Sequence, residues 1–332
     1  MMRIGLGLLL VCSLGWSGNV FALAPDAEPV YADPAEAAKD PDFAVQGEYV
    51  GRVTTDEGSA TVGAQVIALG NGHFEGVMYI GGLPGDGWTG EPVSRAQGAR
   101  NDKNQVVFQN DRGKGVLADG KITVIVGDRI AGVLEKVERK SPTLGMKPPK
   151  GAVVLFDGTT PDNFIGGRMT PDGLLMEGAT SKQKFQSFRI HLEFRTPFKP
   201  TARGQARGNS GFYAQGRYEV QILDSFGLSG EDNECGGIYK VARPRVNMCF
   251  PPLSWQTYDV EFHAAKYEGD RKVQNARITV RHNGVLIHEN QEVPHATTAA
   301  PVKEGPEPGP IFLQNHGNPV RFRNIFVVPL ED

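Results

Sequence analysis

The chain is poor in cysteine, in net charge and in long apolar runs. Three cysteines in 332 residues exclude a small disulfide-dense scaffold. A formal net charge of −3, with no dense Lys/Arg block, argues against a nucleic-acid binder, which would carry a basic patch. Apart from residues 4–16 no stretch is apolar enough to cross a bilayer, and that run is too short for a stable anchor. Amphipathic helices longer than a couple of turns are missing as well. The Gly-rich stretch GGLPGDGWTG (81–90) is not followed by Lys-Ser/Thr, so it reads as a loop and not as a phosphate cradle. His/Cys spacing of the zinc type is absent. Calcium would need several converging oxygens, for which the acids and Asn of 229–234 are candidates, and no cofactor or metal is assigned.

What is present begins with an address. Arg3, the apolar run from Ile4 to Trp16 and the small residues at Ala22-Leu23-Ala24 form the pattern of a secretory signal over 1–24. Val11 before Cys12 fits lipoprotein processing poorly. The mature protein is expected in the periplasm or outside the cell, without a lipid anchor. In that setting the two remaining cysteines, Cys235 and Cys249, are expected to pair. Closing a loop of about 15 residues would stabilise by roughly 3 kcal/mol.

Glycine (42) and proline (23) punctuate the rest into short β-like runs, which makes the chain all-β. Residues 25–42 read as a tail, 43–140 as a small N-terminal β-domain, 141–150 (SPTLGMKPPK) as a Pro-rich linker and 151–332 as a β-sandwich. Asn71-Gly72, Asp119-Gly120 and Asn283-Gly284 favour tight hairpins. The N-terminal domain offers no catalytic constellation, and its histidine, His73, reads as structural.

The chemistry concentrates in two stretches. NSGFYAQGRYEVQILD (209–224) reads as one Gly-bounded strand. With a side-chain period of two, Arg217, Glu219 and Gln221 share one face, and Tyr218, Val220 and Ile222 the other. The apolar set belongs to a core; the polar set is either a wet face or the floor of a sugar site. Asp224 lies five positions from Glu219 and joins that floor only if a strand end or bulge turns it. The second stretch is Gln314-Asn315-His316-Gly317-Asn318, between two apolar runs. Amide groups that donate and accept suit sugar hydroxyls, and histidine, here His316, is the side-chain type suited to acid–base work near neutral pH. Lys240, in the loop bounded by the two cysteines, is placed to roof the cleft. Trp255 could stack on a sugar ring, but a Trp at a strand start is more often partly buried core, and it reads as that.

These motifs resemble the 3-keto-disaccharide hydrolase domain family. VVLFDGT, NSGFYAQGRYEVQILDS, CGGIY…VNMC, PPLSWQTYDVEF, ITVRHNGVLIH and FLQNHGNPVRFRNIFV carry the likeness, in that order, across nearly all of 151–332. The resemblance implies a concanavalin A-like jelly-roll sandwich and cleavage of glycosides oxidised at C3. A C3 ketone acidifies the C2 hydrogen. A base can remove it, the resulting enolate can expel the C1 substituent, and water can add back. Glu219 or His316 is the expected base, with Arg217, Gln221, Asp224, Lys240, Gln314 and Asn318 binding the oxidised disaccharide. Two alternatives stand beside this reading. A conventional glycoside hydrolase needs two carboxylates about 5–5.5 Å or 6.5–9.5 Å apart, and the strand carrying Glu219 lacks the second. A lectin-like binding protein needs no titratable group at all.

Overall fold

The structure is a computed structural model and describes residues 28–90 and 94–331; the signal segment expected over 1–24 lies outside them. The chain is all-β as expected, but its first part is more than a collection of hairpins. Eight strands, β1 (Gly47–Thr55), β2 (Gly58–Gly70), β3 (His73–Ile80), β4 (Ser94–Arg100), β5 (Val106–Asn110), β6 (Gly113–Ala118), β7 (Lys121–Val126) and β8 (Arg129–Val137), pair in sequence order. β8 returns to pair with β1, so the sheet closes into a barrel without edges. Asn71-Gly72 and Asp119-Gly120 both take positive φ at the expected hairpin turns.

The described part of the segment expected to be a tail, residues 28–42, has regular structure. It forms two short helices, α1 (Pro34–Ala37) and α2 (Pro41–Val45). Each starts at an Asp-Pro pair. Asp33 and Asp40 accept backbone N–H bonds at the cap, and proline occupies the first helical position, where it loses no hydrogen bond. Together with Phe198 and Leu253, these helices close one end of the barrel core.

The second part contains β9 (Val153–Phe156), β10 (Phe164–Ile165), β11 (Leu175–Met176), β12 (Ala179–Phe185), β13 (Phe188–Arg195), β14 (Ser210–Ala214), β15 (Tyr218–Ile222), β16 (Gln256–His263), β17 (Lys266–Glu268), β18 (Arg271–Gln274), β19 (Ala276–His282), β20 (Val285–Val293), β21 (Gly309–Leu313) and β22 (Arg321–Pro329). β10-β12-β21-β14-β15 form one sheet. β11-β22-β13-β16-β19-β20 form the other, with β9 on β22, while β17 and β18 make a separate ribbon. Phe212, Val220 and Ile222 from the first sheet share one core with Phe188, Leu192 and Phe262 from the second. The Tyr218 and Phe262 rings meet across it at 5.5 Å.

Two corrections concern the architecture. Residues 209–224 are a hairpin and not one strand, because Gln215 and Gly216 both adopt positive φ between β14 and β15. The 141–150 segment is not a free spacer. Ser141 Oγ lies 2.6 Å from Thr257 Oγ1, Thr143 Oγ1 donates to Asp259 at 2.6 Å, and the Gly145 N–H donates to Glu193 at 2.6 Å. These bonds strap it to the outside of the second sheet.

Candidate functional site

The β14–β15 hairpin presents its two faces as period-two alternation requires. Tyr218, Val220 and Ile222 point into the core. Glu219 and Gln221 point to the opposite face, paired in register with Tyr213 and Gly211. Gln314 follows β21 and donates its backbone N–H to the Gly211 carbonyl at 2.9 Å, which brings its side chain onto the same surface.

Glu219 is the centre of this face and is buried. Its carboxyl fills the space left by the missing side chain of Gly211, where a Cβ would stand only 2.3 Å from Oε1. A side chain at Gly211 would therefore displace the carboxyl from this seat. The Glu219 backbone N–H donates to Thr297 Oγ1 at 3.0 Å, tying the strand to the loop that crosses it. The Tyr213 hydroxyl accepts from Gln314 Nε2 at 3.0 Å and donates to the Thr298 carbonyl at 3.3 Å, with the Glu219 carboxyl as a further hydrogen-bonding neighbour. Beyond Glu219, Gln221 Nε2 and Asn209 Nδ2 both donate to Gln205 Oε1, at 3.1 and 2.9 Å. Asn209 Oδ1 is buried without a partner, an acceptor with nothing donating to it.

Among the described residues no cation pairs with Glu219. Burial disfavours the charged carboxylate and pushes its pKa up to about 8, with the Tyr213 hydrogen bond opposing in part. Burial, and then the neighbouring Glu219 charge, push the Tyr213 phenol upward as well. A carboxyl that titrates near neutrality can both take and return a proton within one turnover. The surrounding amides and phenol are fixed donors and acceptors suited to hydroxyls and a developing oxyanion.

Several residues expected at the site have other employment. Asp224 accepts from Arg207 Nε at 2.7 Å in a buried ion pair, and Arg207 also reaches the carbonyls of Ala68 and Pro200. Arg217 donates to the Lys303 and Glu307 carbonyls and to Gln215 Oε1, clasping the 303–307 loop. Asn318 Oδ1 accepts from Lys199 Nζ at 2.9 Å and from the Gly208 N–H at 3.2 Å, bracing its turn. Lys240 projects from an exposed turn with its ammonium 3.6 Å from Asp232. Cys235 and Cys249 do not form the expected disulfide: both are free and buried. The Cys235 thiol lies 3.3 Å from the Tyr258 hydroxyl, and the Cys249 thiol donates to the Leu223 carbonyl at 3.4 Å. His316 sits on the exposed turn two residues past Gln314. Its ring is unpartnered among the described residues, while its carbonyl accepts from Asn318 Nδ2.

Sequence reasoning singled out Glu219, Gln221 and Gln314 but missed Tyr213, Gly211, Asn209 and Gln205. The period of β14 could have found Tyr213 and Gly211 once the turn at Gln215-Gly216 was placed. Gln205 belongs to a short 3-10 turn, Gly204–Ala206, which carries no such signal.

Fold and site define an all-β protein with two sheets on one core and, on the face of one sheet turned away from that core, a buried carboxyl set among amides with no cation partner among the described residues. The chain belongs to the 3-keto-alpha-glucoside-1,2-lyase-like domain family, whose model matches residues 151–328, more than half of its length. It is similar to a solved structure of a candidate glycosyl hydrolase from Parabacteroides distasonis, with 31% identity and a TM-score of 0.50, over 55% of this chain and 86% of that one. A second structure under the same description and from the same organism aligns with 18% identity and a TM-score of 0.40, over 55% of this chain and 95% of that one. No curated protein matches the chain.

Proposed function

We propose that the protein is an exported carbohydrate-active hydrolase that opens 3-keto-glycosides by elimination at C1–C2 followed by addition of water, on a concanavalin A-like jelly-roll sandwich. Family membership and the likeness to a glycosyl hydrolase candidate support the substrate class. The observation that carries the mechanism is Glu219: a buried carboxyl with its pKa pushed up to about 8, no cation beside it among the described residues, and Tyr213 and Gln314 as hydrogen-bonding neighbours.

In this reading the Glu219 carboxylate takes the C2 proton, and the electron pair of the C–H bond moves to the C3 oxygen as an enolate. Tyr213 and Gln314 supply O–H and N–H groups to that oxygen, a contribution on the order of several kcal/mol when such donors are preorganised. The enolate reforms the C3 carbonyl, a C1–C2 double bond appears, and the C1–O bond breaks. The departing oxygen takes a proton from Glu219, which now carries one, or from His316 of the exposed turn that follows Gln314. Water then adds across the double bond, its oxygen to C1 and its proton, relayed by Glu219, to C2. Gln221 and Asn209, whose Oδ1 lacks a donor, bind hydroxyls. Two flanking carboxylates are not needed, which fits a strand whose next acid, Asp224, is locked onto Arg207.

The test incubates the mature protein with 3-keto-trehalose and with trehalose, following products by mass. The oxidised sugar should be consumed, yielding the unsaturated or the hydrated 3-keto-hexose, and trehalose should not. The rate should rise with pH through about 8, as Glu219 becomes the free base. Glu219→Gln should lower kcat by roughly a hundredfold or more with the circular dichroism spectrum unchanged. Equal turnover of trehalose, or an undiminished rate in Glu219→Gln, sinks the reading. His316→Ala separates the two acids: a loss confined to substrates with poor leaving groups assigns the departing-oxygen proton to His316.

A further inference from the structure

The CGGIY motif at 235–239 runs along the edge of the sheet that carries Glu219. The Gly236 N–H donates to the Gln221 carbonyl at 2.9 Å, the Gln221 N–H to the Gly237 carbonyl at 2.8 Å, and the Tyr239 N–H to the Glu219 carbonyl at 3.2 Å. Between them Val220 and Ile238 pair antiparallel. The motif thus covers the otherwise open edge of β15 with one more short extended segment. Its start is fixed to the rest of the fold. The buried His288 ring donates from Nε2 to the Gly236 carbonyl at 2.7 Å, and the Cys235 N–H donates to Ser225 Oγ at 3.0 Å. Its end is a tight turn, in which Lys240 takes positive φ and the Ala242 N–H returns to the Ile238 carbonyl at 3.0 Å.

This register decides where Tyr239 faces. Ile238 is buried in the core with Val220, so its neighbour Tyr239 turns to the opposite face, beside Glu219. The two phenols feel each other across the carboxyl: the upward push on Tyr213 comes first from burial, then from Glu219 and then from Tyr239. Phe312, Tyr213, Glu219 and Tyr239 therefore form one row across four neighbouring segments of the sheet. Tyr213 and Glu219 are buried in that row, whereas Tyr239 is only half-buried. Its hydroxyl has no hydrogen-bond partner among the described residues, which leaves a donor to spare next to the carboxyl.

We propose that Tyr239 holds the departing half of the substrate, its hydroxyl donating a hydrogen bond to the oxygen on C1. This assignment rests on the elimination reading, in which Tyr213 and Gln314 donate to the C3 oxygen and Glu219 takes the proton from C2. C3, C2 and C1 follow one another round the sugar ring. Tyr213, Glu219 and Tyr239 follow one another across the sheet, at about 4.8 Å from strand to strand. With C3 at Tyr213 and C2 over Glu219, the C1 oxygen falls on the Tyr239 side. A donor there meets negative charge as it develops on that oxygen, whichever group protonates it. One such preorganised donor contributes about 10²–10³-fold in kcat.

Tyr239→Phe keeps the ring and removes the donor. Its kcat is compared with that of the wild-type mature protein on two substrates. In 3-keto-trehalose the departing group is a sugar alkoxide, which needs help to leave; in 4-nitrophenyl 3-keto-α-glucoside it is a stabilised phenolate, which does not. The variant should lose roughly tenfold or more with 3-keto-trehalose and stay within about threefold of wild type with the nitrophenyl glycoside. Its melting temperature should match wild type. An equal loss with both substrates marks a side chain that only supports the fold, and no loss with either removes the contact. Each of these results overturns the assignment while wild-type turnover leaves the elimination reading standing. If wild type converts neither 3-keto-glycoside, the elimination reading itself fails and the assignment falls with it.

Discussion

Glu219 makes a cost visible at the level of one side chain. Its folded pKa, about 8, lies above the ordinary 4.5 because burial penalises the charged form and no cation compensates. A raised pKa means that the native state holds the proton more tightly than the unfolded chain does. The associated stability is complete below about pH 4.5 and is lost as pH climbs toward 8, at about 1.4 kcal/mol per unit. Gln has the same shape and cannot ionise. Glu219→Gln should therefore melt with wild type near pH 4.5 and several degrees above it near pH 9, as read by thermal denaturation followed by circular dichroism. Equal melting temperatures at the alkaline end contradict the assigned titration. On the proposed mechanism the same substitution should lower kcat by roughly a hundredfold or more, the pattern of a residue kept for chemistry at the expense of stability.

The element that matters is the β14–β15 hairpin, whose two faces serve different ends. Gly211→Ala should push the carboxyl off its seat, since the added carbon meets Oε1 at 2.3 Å and the Tyr213 ring at 2.9 Å. A drop in kcat of roughly tenfold or more, with little change in melting temperature, is the expected signature. Asp224→Ala should behave in the opposite way. It leaves Arg207 buried without its partner, which costs about 3–5 kcal/mol, yet KM should stay within twofold of wild type. A tenfold rise in KM in a folded Asp224→Ala protein returns that residue to the sugar site. The contrast shows what was legible in the sequence. Alternation along Tyr218–Ile222 could be read because a strand has a fixed period, and it placed Glu219 and Gln221 on the polar face. The turn at Gln215-Gly216 could not, because glutamine at positive φ is not a usual turn signal. Strands β4 (SRAQGAR) and β6 (GKGVLA) were invisible for a related reason: small inward residues leave no apolar alternation to detect. Nor could sequence show that Asp224, Arg217 and Asn318 are engaged elsewhere, since partners such as Arg207, Lys303 and Lys199 are brought to them only by the fold.

Across the whole molecule the barrel and the two-sheet part are welded and not merely tethered. Ile67, Val77 and Tyr79 turn outward from the barrel wall into the core of the second part. Arg207 carries the Asp224 pair across to the Ala68 carbonyl, and Arg95 reaches back to the Gly227 carbonyl at 2.9 Å. Tyr31 and Phe198 exchange two backbone bonds, and the 141–150 strap covers Asp259 and Glu193 on the far sheet. Burying three such large side chains contributes about 1.5–3 kcal/mol each, and the buried Arg207 network would lose acceptors if the parts separated. The full mature chain should therefore unfold in one calorimetric transition, with van't Hoff and calorimetric enthalpies in agreement. A fragment spanning 151–332, stripped of the barrel and the strap, should melt on the order of 10 °C lower, at about 2–4 °C per kcal/mol for a domain of this size. Two separated transitions in the full chain, or a fragment as stable as the whole, would show that the barrel is only an appendage and that the Arg207–Asp224 pair does not depend on it.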